Sequence, residues 1–298
     1  MNLPSLKQLR YFVALTDERH FGRAAALCFV SQSAFSTAIK DLETLLGARL
    51  VERSNRQLRI TEAGEKVATR ARECLRTAEQ LVESARQQDQ PLTGDLRLGA
   101  IPTIAPFMLP QALPRIRRAH PRLNLYLAED QTARLHTRLL NNQLDVVLLA
   151  LPFTLPGTEV LPLFRDRFLL ACRENTERVD PNNYRFRKIT PGSVILLEDG
   201  HCLRNHALDA CKLRGTEKIN RFAASSLLTL VEMIDADLGI SYLPEIAAAS
   251  TLLRNTRVRL HPLHDDSYRT IGLAWRKGSA RENEFRLLGE LLSAQRPT

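Results

Sequence analysis

Two cysteines, Cys202 and Cys211, stand nine residues apart in a segment that also carries His201, Arg204 and His206. A thiol is a nucleophile only as thiolate, and a helix N-terminus or a nearby cation favours that form. Cys202 has both in prospect. The apolar, partly β-branched run Val194 to Leu197 predicts a buried strand that ends in a turn at Gly200. From Cys202 to Lys212 the residues Leu203, Ala207, Leu208, Ala210 and Cys211 suit a short helix, which Gly215 can close. On a continuous helix at ~1.5 Å per residue the two Cα atoms lie ~13 Å apart, on roughly opposite faces, whereas a disulfide needs them within ~7 Å. Bonding them therefore requires the helix to unravel, so that oxidation changes the local fold. The alternative is that both are small buried hydrophobes, the commoner fate of a free cysteine.

The elements that must position these residues belong to a chain of 298 residues, long enough for two or three domains. Its 44% apolar and 25% charged content is that of an ordinary soluble protein, and no run approaches the ~20 apolar residues of a membrane span. The N-terminus carries Lys7 and Arg10 in a periodic pattern and no signal-peptide apolar stretch, so the expected location is cytoplasmic and nucleoid-associated, without a membrane partner. Five cysteines, an odd number, argue against a disulfide framework, and no Cys-x-x-Cys pair suggests zinc; neither metal nor cofactor is expected. The 42 Lys and Arg against 33 Asp and Glu give +9, which favours a polyanionic partner. The surplus is shared, +4 in residues 1–88 and +5 in the remainder, so charge alone does not locate a nucleic-acid face.

Residues 5 to 16 place Leu6, Leu9, Phe12, Val13 and Leu15 at helical spacing, and a second helix begins near Phe21. Ser31 is a good N-cap for a third, Gln32 to Leu46, stopped by Gly47. This is helix-turn-helix grammar. It sends the start of the last helix into a major groove, where Gln32, Ser33, Ser36 and Thr37 can bond base edges or phosphate and Lys40 a phosphate. Arg49 to Thr61 then reads as two extended runs about Ser54-Asn55, a β wing whose Arg49, Arg53, Arg56 and Arg59 face only Glu52; it is either a DNA contact or a solvated face. Glu62 to Gln88 predicts a long helix with an apolar stripe at Val67, Ala71, Leu75, Ala78, Val82 and Ala85, suited to pairing with a second copy or with a helix of its own domain. The expected divisions are 1–61 for the winged helix-turn-helix, 62–90 for a dimerising linker helix and 91–298 for a separate domain.

In that last part strand and helix signals alternate. Strands are expected at Asp95 to Ile101, Asn124 to Ala128, Asp145 to Leu151, Phe168 to Cys172, Val194 to Leu197 and Thr270 to Trp275. Helices are expected at Phe107 to Arg118, Ala133 to Asn142, Leu203 to Lys212, Leu227 to Asp237 and Glu282 to Gln295. The alternation predicts an α/β fold with largely parallel sheets.

The segment Leu197-Glu-Asp-Gly-His-Cys-Leu-Arg, with its second cysteine, resembles the sensing region of peroxide-responsive LysR-type transcriptional regulators. The likeness extends to Ile101-Pro-Thr-Ile-Ala-Pro, Glu129-Asp-Gln-Thr and Arg269-Thr-Ile-Gly-Leu, and in the N-terminal part to Arg-Ala-Ala, Ser-Gln, Leu-Glu and Thr-Glu-Ala-Gly. The resemblance implies a winged helix-turn-helix and linker followed by a two-lobed, periplasmic-binding-protein-like regulatory domain. Lobe I would comprise about 91–165 and 269–298, and lobe II about 166–268. It implies a non-enzymatic activator whose Cys202 is oxidised by hydrogen peroxide in a pocket of Thr103, Thr132, His201, Arg204 and Arg269, with Cys211 as resolving cysteine. The implied partners are promoter DNA of oxidative-stress defence genes, RNA polymerase, a cellular thiol reductant, and further copies of the chain in a homodimer and homotetramer. Four departures stand out: Ser33 where the family has proline, Thr37 where it often has arginine, Asn205 for an aspartate, and Asp237 for a glycine.

Three other readings remain open at this stage. A small metabolite could bind between the lobes, with Ser225 and Ser226 toward an anion and the cysteines incidental. A thiol peroxidase would leave the winged helix without a purpose. A metal sensor would need His201, Cys202, His206 and Cys211 to converge.

Overall fold

The computed structural model describes residues 3–53, 58–86, 91–210, 216–248, 250–263 and 267–294. The chain divides into two compact units, Met1–Asp89 and Gln90–Thr298.

In the first unit α1 (Leu6–Glu18), α2 (Phe21–Leu27) and α3 (Gln32–Leu46) pack about Phe12, Leu15, Phe35, Ile39 and Leu42, all buried. Local signals set the boundaries. Ser5 and Gln8 form a reciprocal capping box at the start of α1. Ser31 accepts the Ala34 N–H at 3.3 Å, and Gly47 ends α3 in the left-handed conformation. β1 (Val51–Arg53) and β2 (Leu58–Ile60) pair antiparallel as the wing, and Glu43 on α3 anchors it by accepting the N–H groups of Leu50 and Val51 at 2.7 and 3.1 Å. The long helix α4 (Glu62–Arg86) lies against α1, tied by Arg72 to Asp17.

In the second unit β3 (Gly94–Ala100), α5 (Ala105–Ala119), β4 (Leu123–Glu129), α6 (Thr132–Leu140) and β5 (Val146–Leu151) build the first lobe. The chain then runs through one long strand, β6 (Thr158–Arg173), into β7 (Val194–Leu197), α7 (Cys202–Ala210), β8 (Ile219–Ala224), α8 (Leu227–Asp235), β9 (Ser241–Pro244), α9 (Glu245–Ala248) and β10 (Val258–Pro262). It returns by β11 (Tyr268–Arg276) to α10 (Glu282–Ser293). Two separate apolar cores result. One gathers Leu98, Val147, Leu149, Ile271, Leu273, Ile116 and Leu288; the other gathers Leu170, Ile195, Leu196, Val231, Ile234 and Leu243. Burial of each such side chain stabilises by roughly 1.5–3 kcal/mol, so each lobe holds itself together.

Two sequence expectations are corrected. The sheets are mixed, not largely parallel. β3 pairs parallel with β4 and β5, and β7 with β8, but β11 pairs antiparallel with both β5 and β6, and β6 antiparallel with β9 and β10. The physical reason is that the outgoing and returning chain lie side by side, and two neighbouring crossings in opposite directions are antiparallel. The strand expected over Phe168 to Cys172 instead begins at Thr158, because its first half pairs with β11 in the first lobe before its second half pairs in the other. β8, β9 and β10 were not anticipated; each is short, and Ser241–Pro244 is buried along its whole length, so it carries no alternation to read.

Candidate functional site

Cys202 is the first residue of α7, as its position after Gly200 predicts. The turn before it needs glycine: Gly200 has φ +98°, and a Cβ there would lie 2.8 Å from the Gln131 side-chain amide at the head of α6. Arg204 braces the same turn. Its Nη1 donates to the Leu197 carbonyl at 3.1 Å and its Nε pairs with Asp199 at 3.0 Å. His201 is partly buried, and its carbonyl accepts the Arg204 N–H at 3.1 Å.

The thiol itself is 7% exposed and packs with the core of the first lobe, whereas Leu203 and Ala207 pack in the core of the second. Burial pushes the Cys202 thiol up from its ordinary value, outweighing the Arg269 charge, the Thr132 hydroxyl and the N–H groups of Cys202 and Leu203 at the helix start, all of which pull it down. The helix start favours the thiolate as expected, but burial acts against it and more strongly. The cation that acts on the thiol is Arg269, 67 residues away in sequence, because the fold buries it beside α7 while Arg204 is turned to the loop.

Arg269 is held at all three nitrogens. Its Nε donates to Asp166 Oδ2 at 2.8 Å, Nη1 to Thr103 Oγ1 at 2.9 Å and Nη2 to the Thr103 carbonyl at 2.9 Å. Thr103 is therefore no helix cap; its hydroxyl receives a guanidinium. Thr132 is the first residue of α6 and is buried; its hydroxyl has no hydrogen-bond partner of ordinary geometry among the described residues, and it favours the thiolate form of Cys202. The structure thus brings Cys202, Thr132, Thr103 and Arg269 together and turns Arg204 to the turn. Cys211 lies outside the described residues.

Two residues of this neighbourhood escaped the sequence reading. Asp166 gave no signal, since only the pairing of β6 with β11 sets it opposite Arg269. His206 entered only as a metal ligand, although its spacing of four from Cys202 already put both on one helix face. It is 5% exposed; one ring nitrogen, Nε2, lies 2.9 Å from the Pro152 carbonyl beyond β5, and Nδ1 is buried with no hydrogen-bond partner among the described residues. Burial, with Arg269, holds His206 below the usual imidazole range, against the Pro152 hydrogen bond and Asp209. A neutral ring whose Nε2–H donates to Pro152 leaves Nδ1 as acceptor. Among the described residues no three His, Cys, Asp or Glu side chains gather as metal ligands, and no helix is long and apolar enough to cross a membrane.

The departure at Asp237 has a structural reason. Its φ is +56°, where glycine is favoured, and Asp tolerates it because Thr176 Oγ1 donates to its carboxylate at 2.7 Å and Arg178 Nε to its carbonyl at 2.7 Å. Asn205 is exposed.

In the first unit Gln32, Ser33, Thr37 and Lys40 are exposed on the leading half of α3. Ser36, half-buried, shares with Lys40, Arg49 and Arg59 the lining of a groove between α3 and the wing. Thr37 donates its hydroxyl back to the Ser33 carbonyl at 3.1 Å. The Arg53 side chain and Arg56 lie outside the described residues.

A winged helix-turn-helix followed by a two-lobed α/β unit defines a DNA-binding transcriptional regulator, a class of protein without an enzymatic reaction of its own. Residues 6–65 match the model of a bacterial regulatory helix-turn-helix protein of the LysR family, and residues 89–296 that of a LysR substrate binding domain. The chain belongs to the LysR family. It is 41% identical to the HTH-type transcriptional regulator EstR of Acinetobacter baylyi, over 97% of this chain and 96% of that protein. It is 37% identical to the hydrogen peroxide-inducible genes activator of Escherichia coli O157:H7, over 98% and 95% of the two chains. A solved full-length OxyR variant from Pseudomonas aeruginosa superposes with a TM-score of 0.79 at 31% identity, covering 98% of this chain and 95% of that one.

Proposed function

We propose that this regulator senses hydrogen peroxide through Cys202 and passes the signal to promoter DNA of oxidative-stress defence genes. The observation that carries the reading is the Cys202 thiol buried beside Arg269 and the Thr132 hydroxyl, a cation and a donor positioned where charge develops as an O–O bond breaks. The kinship with a hydrogen peroxide-inducible activator supports it.

In the proposed chemistry the Cys202 sulfur, as thiolate, attacks one peroxide oxygen. The O–O bond breaks, leaving a sulfenic acid on sulfur and a hydroxide that takes a proton to become water. The Cys211 thiol then attacks that sulfur, a disulfide forms and a second water leaves; a cellular thiol reductant reverses the change. In this reading the disulfide remodels the segment from Gly200 to Gly215, at whose helix start Cys202 is buried. That local remodelling alters how regulatory domains of a homodimer or homotetramer pack, and so how heads 1–61, paired through linker 62–90, meet DNA and RNA polymerase. Gln32, Ser33, Ser36, Thr37, Lys40, Arg53 and Arg56 are assigned to DNA.

The test is peptide-resolved thiol counting by mass spectrometry after stoichiometric peroxide. The reading expects a Cys202–Cys211 disulfide in wild type and a sulfenic acid on Cys202 in Cys211→Ser; five intact thiols reject it. A second reading, a metabolite-responsive regulator, is favoured by a groove of about 630 Å³ along β6, α9 and β11, lined by Phe164, Arg165, Glu245, Tyr268 and Thr270.

A further inference from the structure

We propose that Asp166 is a positioning residue that sets the acidity of the Cys202 thiol, by fixing the Arg269 guanidinium and offsetting its charge. The inference deepens the peroxide reading and rests on it for its biological meaning.

The geometry begins with the two crossing strands. Asp166 on β6 and Arg269 on β11 are register partners, and both side chains are 0% exposed. One Asp166 oxygen takes the Arg269 Nε–H at 2.8 Å and the other takes the Ile246 N–H at 3.1 Å, so the carboxylate is held from two elements. With Thr103 accepting from both terminal nitrogens, the guanidinium has no freedom to swing toward the thiol. A bare guanidinium buried beside a thiol strongly favours the thiolate. An ion pair at contact distance presents mainly a dipole, whose field falls faster with distance than that of one charge. Asp166 therefore lets Arg269 stay buried next to Cys202 while weakening its pull toward the thiolate. Among the described residues of α7, the titratable group that shares the thiol's helix face is His206, on which Arg269 and Asp209 act in opposite directions.

Full-length protein carries the test. Iodoacetamide labelling of Cys202, read by peptide mass spectrometry across a pH series, gives the midpoint of thiol ionisation without calling on peroxide. Asp166→Asn is expected to lower that midpoint by at least about one unit, which makes labelling about tenfold faster below it. The double variant Asp166→Asn/Arg269→Gln removes both charges and is expected to titrate at or above wild type. A folded Asp166→Asn protein with an unchanged or raised midpoint overturns the assignment. So does a double variant that titrates below wild type, and that arm stands if the single variant fails to fold. Should peroxide leave Cys202 untouched while these midpoints move as expected, the sensing reading fails and the role of Asp166 stands.

Discussion

Cys202 and Leu203 are adjacent in the chain and belong to different hydrophobic cores: Cys202 to the core of the first lobe that holds Leu149 and Ile271, Leu203 to the core of the second that holds Ile195 and Val231. The head of α7 is thus a joint between lobes, and the candidate nucleophile is the part of it that crosses.

The burial of this thiol has a pH signature. Its folded value is raised, so its contribution to stability is full below the ordinary thiol value and is lost as pH rises through the folded one. Cys28 and Cys172, also raised by burial, act in the same direction. Urea unfolding across an alkaline pH series is expected to show wild type losing stability more steeply than Cys202→Ala. Equal slopes mean that the thiol is solvated in solution.

Gly200→Ala is expected to cost about 1–3 kcal/mol, because φ of +98° is disallowed for alanine and the new methyl meets Gln131. Adding Gln131→Ala removes the contact and not the backbone strain, so most of the loss should remain in thermal unfolding. Full recovery in the double variant assigns the cost to the contact alone.

At Asp237 the expected order of stability is wild type above glycine above alanine. Glycine suits φ of +56° but loses the Thr176 hydrogen bond, while alanine loses the bond and keeps the strain, by about 1 kcal/mol more. Chemical denaturation of the three proteins decides it, and alanine equal to glycine refutes the backbone argument.

Lys40→Ala is expected to weaken binding to duplex DNA about equally across sequences and to lower the salt slope by about 1, as removal of one phosphate contact does. Gln32→Ala should instead reduce discrimination between sequences. Fluorescence anisotropy over a salt series separates the two, and an unchanged slope for Lys40→Ala removes it from the interface.

Much of this was legible in the sequence because it is written in local signals. The cap at Ser31, the stop at Gly47, the turn at Gly200 and the helix start at Cys202 each depend on residues within a few positions, and the structure has each where the spacing puts it. What local signals did not carry is the environment of the thiol; Thr103, Thr132 and Arg269 entered the reading only through the family resemblance, and Asp166 not at all. Local reading put His201 and Arg204 beside Cys202; the fold gave Arg204 to Asp199 and Leu197 and brought Arg269, Asp166 and Thr103 in from strand and helix ends up to 166 residues apart. Strand direction was lost for the same reason, since the antiparallel pairing of β6 and β11 comes from a long excursion and return. Short-range chemistry determined the elements and the position of the nucleophile. Only the tertiary structure decided its surroundings, because burial and the nearness of an ion pair distant in sequence exist only once the two lobes have closed around it.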